Sequence, residues 1–495
     1  MIRLEHVTHL YADSDQPALH DVSLTVRPGE AVCVMGRNGS GKSTLIKIIA
    51  GLLRPTRGQV HVNGATPADD TSRAVGILFQ NADNQMVATV VEKELAFSLE
   101  NQAASQAAME TAISETCERF RLTSLRTRLT SELSGGEKQR VALGSIMIQN
   151  PPVLLLDEPD TFLDAAGQKI VREELRRLHA AIPNLTELRI SHSPAIARDY
   201  QRLIVFDGGE ITVDDEPEAV FQDQKRLVQA GLSVTGAEDS RQWVTERLGT
   251  RHVSEIAAKS ISFGYDSSRP VIDNVNMSLT AGETVALVGA TGVGKTSLGL
   301  LLCGVHMPSS GSLLFRDETG SELSRRDIRG QVVAVLQQAE RQFFLDSCAR
   351  EVAFGPSNLG HSLTPAEIDY FLDLVGLPAE RFRKRDPFTL SEGEKRRLAF
   401  ATALSMSPSF LIFDEPTAGL DPAGVGQFLG MSRLLRQHGL GQLVISHDRF
   451  VVEHVANRVL FLRSPRDLVD VWPSELDAQA DLADLLAPSH FLSVE

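Results

Sequence analysis

Two segments of this chain have the residue types and spacing to hold a row of phosphates. Gly36-Arg37-Asn38-Gly39-Ser40-Gly41-Lys42-Ser43 and Gly289-Ala290-Thr291-Gly292-Val293-Gly294-Lys295-Thr296 both fit G-x-x-x-x-G-K-[ST]. In such a loop the glycines leave backbone N–H groups free to wrap an anion, and the following helix presents its positive end. Lys42 and Lys295 would reach the β- and γ-phosphates. Gly36, Asn38, Gly39, Gly41 and Thr44 would complete the first cradle, and Gly289, Thr291, Gly292, Gly294 and Ser297 the second. Ser43 and Thr296 would offer hydroxyls to Mg²⁺. Asp157 and Asp414 close the apolar runs Val153 to Leu156 and Phe410 to Phe413, and would hold the metal through water, because Mg²⁺ dehydrates reluctantly. Beside each stands a second acid, Glu158 or Glu415, placed to polarise water for attack on the γ-phosphate. A glycine turn that merely joins strand to helix, or a solvated strand-end carboxylate, is the plainer alternative for any one of these features. Their joint recurrence in both copies favours chemistry.

The elements needed to position these groups are legible around them. Glu30 to Met35 and Glu283 to Val288 read as short buried strands, and Lys42 to Leu52 and Lys295 to Cys303 as helices opening from the loops. Strands alternating with helices imply a mostly parallel α/β sheet with its ligand at the strand carboxyl ends. The whole arrangement occurs twice. The two lysines stand 253 positions apart, and Leu133-Ser134-Gly135-Gly136-Glu137-Lys138 recurs 257 positions on as Leu390-Ser391-Glu392-Gly393-Glu394-Lys395. Near-constant offsets mean two copies of one domain. Boundaries drawn from this repeat are 1–232 for the first domain, 233–252 for a polar linker, 253–464 for the second domain and 465–495 for an acidic extension without a partner in the first half.

Composition limits the setting. The 495 residues are 42% hydrophobic, enough for two cores, yet the longest apolar stretches fall far short of the ~18 residues needed to cross a bilayer. The start, Met1-Ile2-Arg3-Leu4-Glu5-His6, lacks the apolar core of a signal peptide, so a cytosolic location is expected. Cys33, Cys117, Cys303 and Cys348 are scattered without a CxxC pair, which suggests neither disulfides nor zinc. A formal charge of −15 without a basic stripe makes a poor counterion for nucleic acid, so no such partner is expected.

A glycine loop with an aspartate also occurs in kinases and GTPases. The Leu133-Ser134-Gly135-Gly136-Glu137 segment is more specific: with the loops, the Asp-Glu-Pro runs and the histidines of the two Ile-Ser-His runs, it resembles the ABC ATPase family over nearly all of both repeats. The resemblance implies two tandem P-loop NTPase cassettes, each a mainly parallel RecA-like sheet with a β-subdomain and a helical signature subdomain. It implies ATP and Mg²⁺ as ligands. It further implies that the cassettes pair within one chain, so that Lys42, Asp157 and Glu158 work with Ser391 and Gly393, while Lys295, Asp414 and Glu415 work with Ser134, Gly135 and Gly136. Gln80 and Gln337 match the glutamine that touches metal and water, His192 and His447 the switch histidine, and Asp164 and Asp421 the loop aspartates linking the two sites. Tyr11 and Tyr265, 31 and 30 residues before their lysines in a chain with four tyrosines, match the adenine-stacking aromatic. The second signature departs from the pattern at Glu392. If that carboxylate faced the phosphates it would repel them and slow the site containing Lys42; if it points outward, the site is normal.

A finer likeness follows each glutamine. Phe79-Gln80-Asn81-Ala82-Asp83-Asn84-Gln85-Met86, with Val91-Glu92-Lys93-Glu94-Leu95-Ala96-Phe97, resembles the ATPase subunits of energy-coupling factor (ECF) transporters, and Leu336-Gln337-Gln338-Ala339-Glu340-Arg341-Gln342-Phe343 is a looser version. That likeness implies an importer of a vitamin or metal ion, with the chain peripheral on the cytoplasmic face of the cell membrane. Its implied partners are an integral membrane coupling protein (ECF T-like) and a separate membrane substrate-binding protein. The alternatives are a soluble twin-cassette protein of translation or repair, and a fused sugar-import ATPase.

Overall fold

The computed structural model describes residues 1–495 except 13–15, 67–74, 81, 83–84, 161–162, 164, 224–226, 228–232, 235–252, 267–269, 479, 487–491 and 494–495. The chain divides into two compact units, the first built from residues 1–235 and the second from most of the remainder. Of the expected linker, only Ser233–Val234 lies within the described residues.

In the first unit a six-stranded sheet runs in the order Val75–Leu78, Val153–Asp157, Thr186–Ile190, Ala31–Gly36, Arg202–Asp207, Glu210–Asp215. Its first five strands are parallel and the last turns back as a hairpin. The middle strands are apolar on both faces, as burial on both sides requires. One face packs on the helix Lys42–Ile49 and a three-stranded antiparallel sheet of Leu19–Val26, Ile2–His9 and Arg57–Val62. There Ile2, Leu4, Leu45, Ile46 and Ile48 form one core with Val153 and Leu155. Leu154 and Leu156 point the other way, as alternation along a strand dictates, into a helical layer of Val91–Asn101, Gln106–Arg119 and Gly135–Met147.

The second unit repeats this order with Val332–Val335, Phe410–Asp414, Gly441–Ile445, Thr284–Gly289, Arg458–Ser464 and Asp467–Val471. Its antiparallel sheet has four strands, and its helical layer comprises Cys348–Asn358, Pro365–Leu374 and Glu392–Leu404. The segment set apart as an extension from 465 begins inside this fold. Asp467–Val471 pairs antiparallel with Arg458–Ser464, and Leu476, Leu482 and Leu486 are buried with Val459 and Phe461. Asp467, Asp470, Glu475 and Asp481 are exposed on an edge strand and on short helices, so their charge reflects solvent contact, not separateness. Two helices are shorter than periodicity suggests. Lys42–Ile49 stops before Gly51, whose positive φ of 74° turns the chain, and Lys295–Leu302 stops before Gly304 at 71°. Among the described residues no helix is long and apolar enough to cross a membrane.

Candidate nucleotide sites

In each unit the central strand ends in the glycine loop, and the next helix opens on the lysine. Gly41 and Gly294 take the N-cap position at φ of 102° and 113°, a region L residues rarely enter, and a Cβ on Gly41 would lie 2.2 Å from the Ala18 carbonyl oxygen. Gly39 and Gly292, also at positive φ, face open space, so no neighbouring group among the described residues covers the backbone at the loop crest. Lys42 Nζ donates to the Gly36 and Arg37 carbonyls at 2.9 and 2.8 Å; Lys295 Nζ donates to Gly289 and Ala290 at 2.7 and 3.0 Å. Burial pulls the Lys42 ammonium below its ordinary range, though Glu158 and Asp157 oppose this.

The aspartates close the sites from the neighbouring strand. Ser43 Oγ donates to Asp157 Oδ1 at 3.3 Å and Thr296 Oγ1 to Asp414 Oδ2 at 2.7 Å. Burial, with repulsion from Glu158, pushes Asp157 up to about 6. Burial does the same to Asp414, to about 6, against the hydrogen bond from Thr296. A buried carboxylate beside a hydroxyl is an oxygen donor set suited to a hard divalent cation, whose charge would offset the burial. These residues therefore fit Mg²⁺ bound with nucleotide.

Glu158 and Glu415 adopt positive φ (48° and 50°), uncommon for residues with a side chain, and their N–H groups donate to the Ile190 and Ile445 carbonyls at 3.2 and 2.9 Å. Gln80 Nε2 donates to Glu158 Oε2 at 3.2 Å, and His192 Nε2 lies 3.0 Å from Glu158 Oε1, outside hydrogen-bond alignment. In the second unit His447 Nδ1 meets Glu415 Oε1 at 2.7 Å. Burial opposes a charge on that ring, but Glu415 overcomes it, and the His447 pKa is raised. Each unit thus gathers its lysine, hydroxyl, aspartate, glutamate and histidine at the carboxyl ends of its central strands. The Gln80 side chain joins them; of Gln337, the carbonyl is placed there by a bond from Arg396 Nη2 at 3.0 Å.

Tyr11 Oη lies 3.1 Å from Thr44 Oγ1, and Tyr265 Oη 3.2 Å from Ser297 Oγ, so each ring stands over the start of the helix that follows its glycine loop. Both rings are exposed, at 40% and 67%. Ser134 and Ser391 cap the helices Gly135–Met147 and Glu392–Leu404 through reciprocal capping boxes with Glu137 and Glu394, leaving Gly135 exposed and Gly136 and Gly393 in the first turn. Glu392 is exposed and paired with Lys395 Nζ at 2.8 Å. Asp421 is buried just before the helix Pro422–Gln437, whereas Asp164 lies outside the described residues, as do Asn81, Asp83 and Asn84.

A sequence model described as "ABC transporter" matches residues 19–161 and 272–418, the segments that carry both glycine loops, both signature serines and both Asp-Glu pairs. The chain belongs to the ABC transporter family. This ABC protein is 32% identical over 92% of its length to a Bifidobacterium longum protein provisionally named an ABC transporter ATP-binding protein, and spans 64% of that relative. It is 28% identical over 97% of its length, and 93% of the relative's, to a Bacillus subtilis protein provisionally named the HMP/thiamine import ATP-binding protein YkoD. A solved structure of the archaeal ribosome recycling factor aABCE1 with the ribosomal stalk protein aP1 shares the fold, with a TM-score of 0.60 and 20% identity over 92% of this chain and 87% of the matched one. The family binds and hydrolyses ATP, with Mg²⁺.

Sequence reading missed the side chains that hold the loops between these groups. Gln85 accepts from Phe79 N–H at 3.2 Å and donates to the Ile77 carbonyl at 2.7 Å, so its amide continues the sheet ladder beyond the strand. Gln342 does the same for Leu336 and Ala334 at 3.1 and 3.0 Å. Glu94 Oε2 accepts from Val87 and Ala88 N–H at 2.9 and 2.7 Å, and Glu351 Oε1 accepts from Phe344 and Leu345 N–H at 2.5 Å each. The signal was available: both pairs recur at an offset of 257.

Proposed function

We propose that this chain is the ATP-hydrolysing subunit of an importer of the energy-coupling factor kind for a vitamin or metal ion. In this reading it sits peripherally on the cytoplasmic face of the membrane, beside a coupling protein and a separate substrate-binding protein. The observation that carries it is the braced segment after each glutamine. Gln85 with Glu94, and Gln342 with Glu351, fix loops that hold Val87 and Phe344 67% and 69% exposed, the Phe344 ring lying 5.9 Å from that of exposed Phe354. Apolar side chains held out rigidly next to a nucleotide site suit a hydrophobic partner whose position can follow the site's state. The relative named for HMP/thiamine import supports the same reading.

The chemistry assigned to each unit starts from the lysine. Lys42 and Lys295 exchange their loop carbonyls for phosphate oxygens, and the backbone N–H groups of each loop hold the remaining charge. When bound, Mg²⁺ supplies charge neutralisation between the phosphates, with Ser43 and Asp157, or Thr296 and Asp414, as its protein contacts. Glu158 and Glu415 orient the attacking water and accept its proton as its oxygen bonds to the γ-phosphorus and the bond to the leaving ADP oxygen breaks, while His192 and His447 stand beside them to reach the γ-phosphate. Ser134, Gly135, Gly136, Ser391 and Gly393 present helix N-termini for the phosphate of the opposite cassette, with Asp164 and Asp421 linking the two sites. ATP that binds the closed arrangement more tightly than the open one turns hydrolysis into motion of the partner.

Affinity purification of the chain from detergent-solubilised membranes tests this. Recovery of an integral membrane protein with a bound vitamin or metal ion is expected. Recovery of ribosomes, or of no membrane protein, would contradict the importer reading.

A further inference from the structure

We propose that Arg189 is a positioning residue for Glu158, tying the loop behind that glutamate to the core sheet, a task that Arg396 of the signature helix performs for Glu415 in the second unit. The inference rests on the hydrolytic reading of the two glutamates.

In the first unit, Arg189 lies on the strand Thr186–Ile190, paired with Leu156 one residue before Asp157. It is 2% exposed, and its Nη2 donates to Asp160 Oδ1 at 2.7 Å, with Asp160 itself 6% exposed. Asp160 follows Glu158 by two residues, so the ion pair clamps the chain just beyond the strained glutamate. The guanidinium is held from its other side: Nη1 lies 3.5 Å from Tyr200 Oη, Tyr200 donates to Glu187, and Glu187 meets His179 Nε2 at 2.6 Å. A buried charge fixed between two partners has little freedom to relax, and removal of either partner leaves the other uncompensated.

The second unit uses different residues for the same loop. Thr417 stands where Asp160 does, and Val444 where Arg189 does, as the ladder shows: Phe413 pairs with Val444 as Leu156 pairs with Arg189. Both replacements are buried and uncharged. There the guanidinium comes from Arg396, 257 positions after Gln139. Its Nη1 donates to the Glu415 carbonyl at 3.0 Å and to the Ala418 carbonyl, and its Nη2 to Gln337 O at 3.0 Å. Burial draws its pKa down to about 10, so it remains a cation at neutral pH. Gln139 makes the weaker counterpart, donating to the Pro159 carbonyl at 2.7 Å. The guanidinium behind Glu415 therefore ties its loop to the signature helix and the glutamine segment, whereas the guanidinium behind Glu158 ties its loop to the sheet and leaves the tie to the signature helix to the Gln139 amide. A left-handed, side-chain-bearing residue persists only where its surroundings over-determine it, and each unit supplies one buried guanidinium to do so.

The test uses the full chain and four variants: Asp160→Asn, Asp160→Thr, Arg189→Val, and the triple variant Gln139→Arg with Asp160→Thr and Arg189→Val, which installs the second unit's arrangement. Steady-state kcat and KM for ATP are read together with Tm. Asp160→Asn, the change of least volume, is expected to lower kcat by half or more with KM within about twofold of the parent. Both larger single variants should do at least as much, and the triple variant should regain turnover relative to them. Unchanged kcat in Asp160→Asn, KM rising in step with the loss of kcat, or a triple variant no better than the singles would each overturn the proposal. A parent chain that does not turn over ATP would instead refute the hydrolytic reading on which it rests.

Discussion

Replacing Glu94 by Ala isolates the brace behind the first glutamine segment. Glu94 is 5% exposed and accepts two backbone N–H groups, Val87 at 2.9 Å and Ala88 at 2.7 Å. Hydrogen bonds to a charged acceptor contribute ~1.5–3 kcal/mol each, so losing both would cost ~3–6 kcal/mol if neither donor found water. Val87 is 67% exposed, so one of the two donors can be rehydrated. The net local cost then falls to about 1.5–3 kcal/mol, which corresponds to roughly 10- to 150-fold faster amide exchange at ~1.4 kcal/mol per tenfold. Hydrogen exchange read at Val87 and Ala88 is the assay. Glu94→Gln, which keeps one carbonyl oxygen as acceptor, should lie between parent and Glu94→Ala, and Glu351→Ala should speed exchange at Phe344 and Leu345 by a similar factor. Exchange in Glu94→Ala within about twofold of the parent would refute the claim that this carboxylate holds the loop.

Three further outcomes follow from the sites. Glu158→Gln combined with Glu415→Gln should keep ATP binding and abolish steady-state turnover, measured as phosphate release; a double variant turning over at the parental rate would remove both residues from the chemistry. Tyr11→Ala and Tyr265→Ala should each weaken nucleotide binding by roughly 2- to 10-fold, the worth of one aromatic contact, while Tyr→Phe at either position keeps it; equilibrium titration with a fluorescent ATP analogue reads this. His179 is raised by its hydrogen bond to Glu187, with burial opposing, so the contact's stabilisation is fully present below the unfolded value of ~6.5 and is lost as pH rises through the folded value. The Tm deficit of His179→Gln relative to the parent should therefore be largest near pH 6 and shrink toward alkaline pH.

The parts legible in the sequence are those whose chemistry is local. A glycine loop, its lysine and the following helix are contiguous, and an apolar run ending in Asp-Glu marks both strand and site, so Lys42, Ser43, Asp157 and Glu158 come together where their spacing suggests. The braces were not legible as such, because the role of a glutamine or glutamate inside a turn depends on which backbone groups the fold leaves unpaired. Gln85 and Glu94 read only as a family likeness until the unpaired N–H groups of Phe79, Val87 and Ala88 are placed beside them. Arg189 was hidden for another reason: Thr186–Ile190 alternates polar Thr186, Glu187 and Arg189 with apolar Leu188 and Ile190, which reads as a half-exposed strand until its tertiary partners Asp160 and Tyr200 are placed beside the guanidinium. The acidic tail misled because charge on an edge strand looks the same in sequence as charge on an appendage.

Joint action of the two nucleotide sites is the central claim, and steady-state ATP turnover of Lys42→Ala and of Lys295→Ala, each in the full chain, tests it most directly. Coupled sites predict that either substitution alone removes far more than half of the parental rate. Independent sites would leave about half in each variant, with losses that add, and that result would contradict the account.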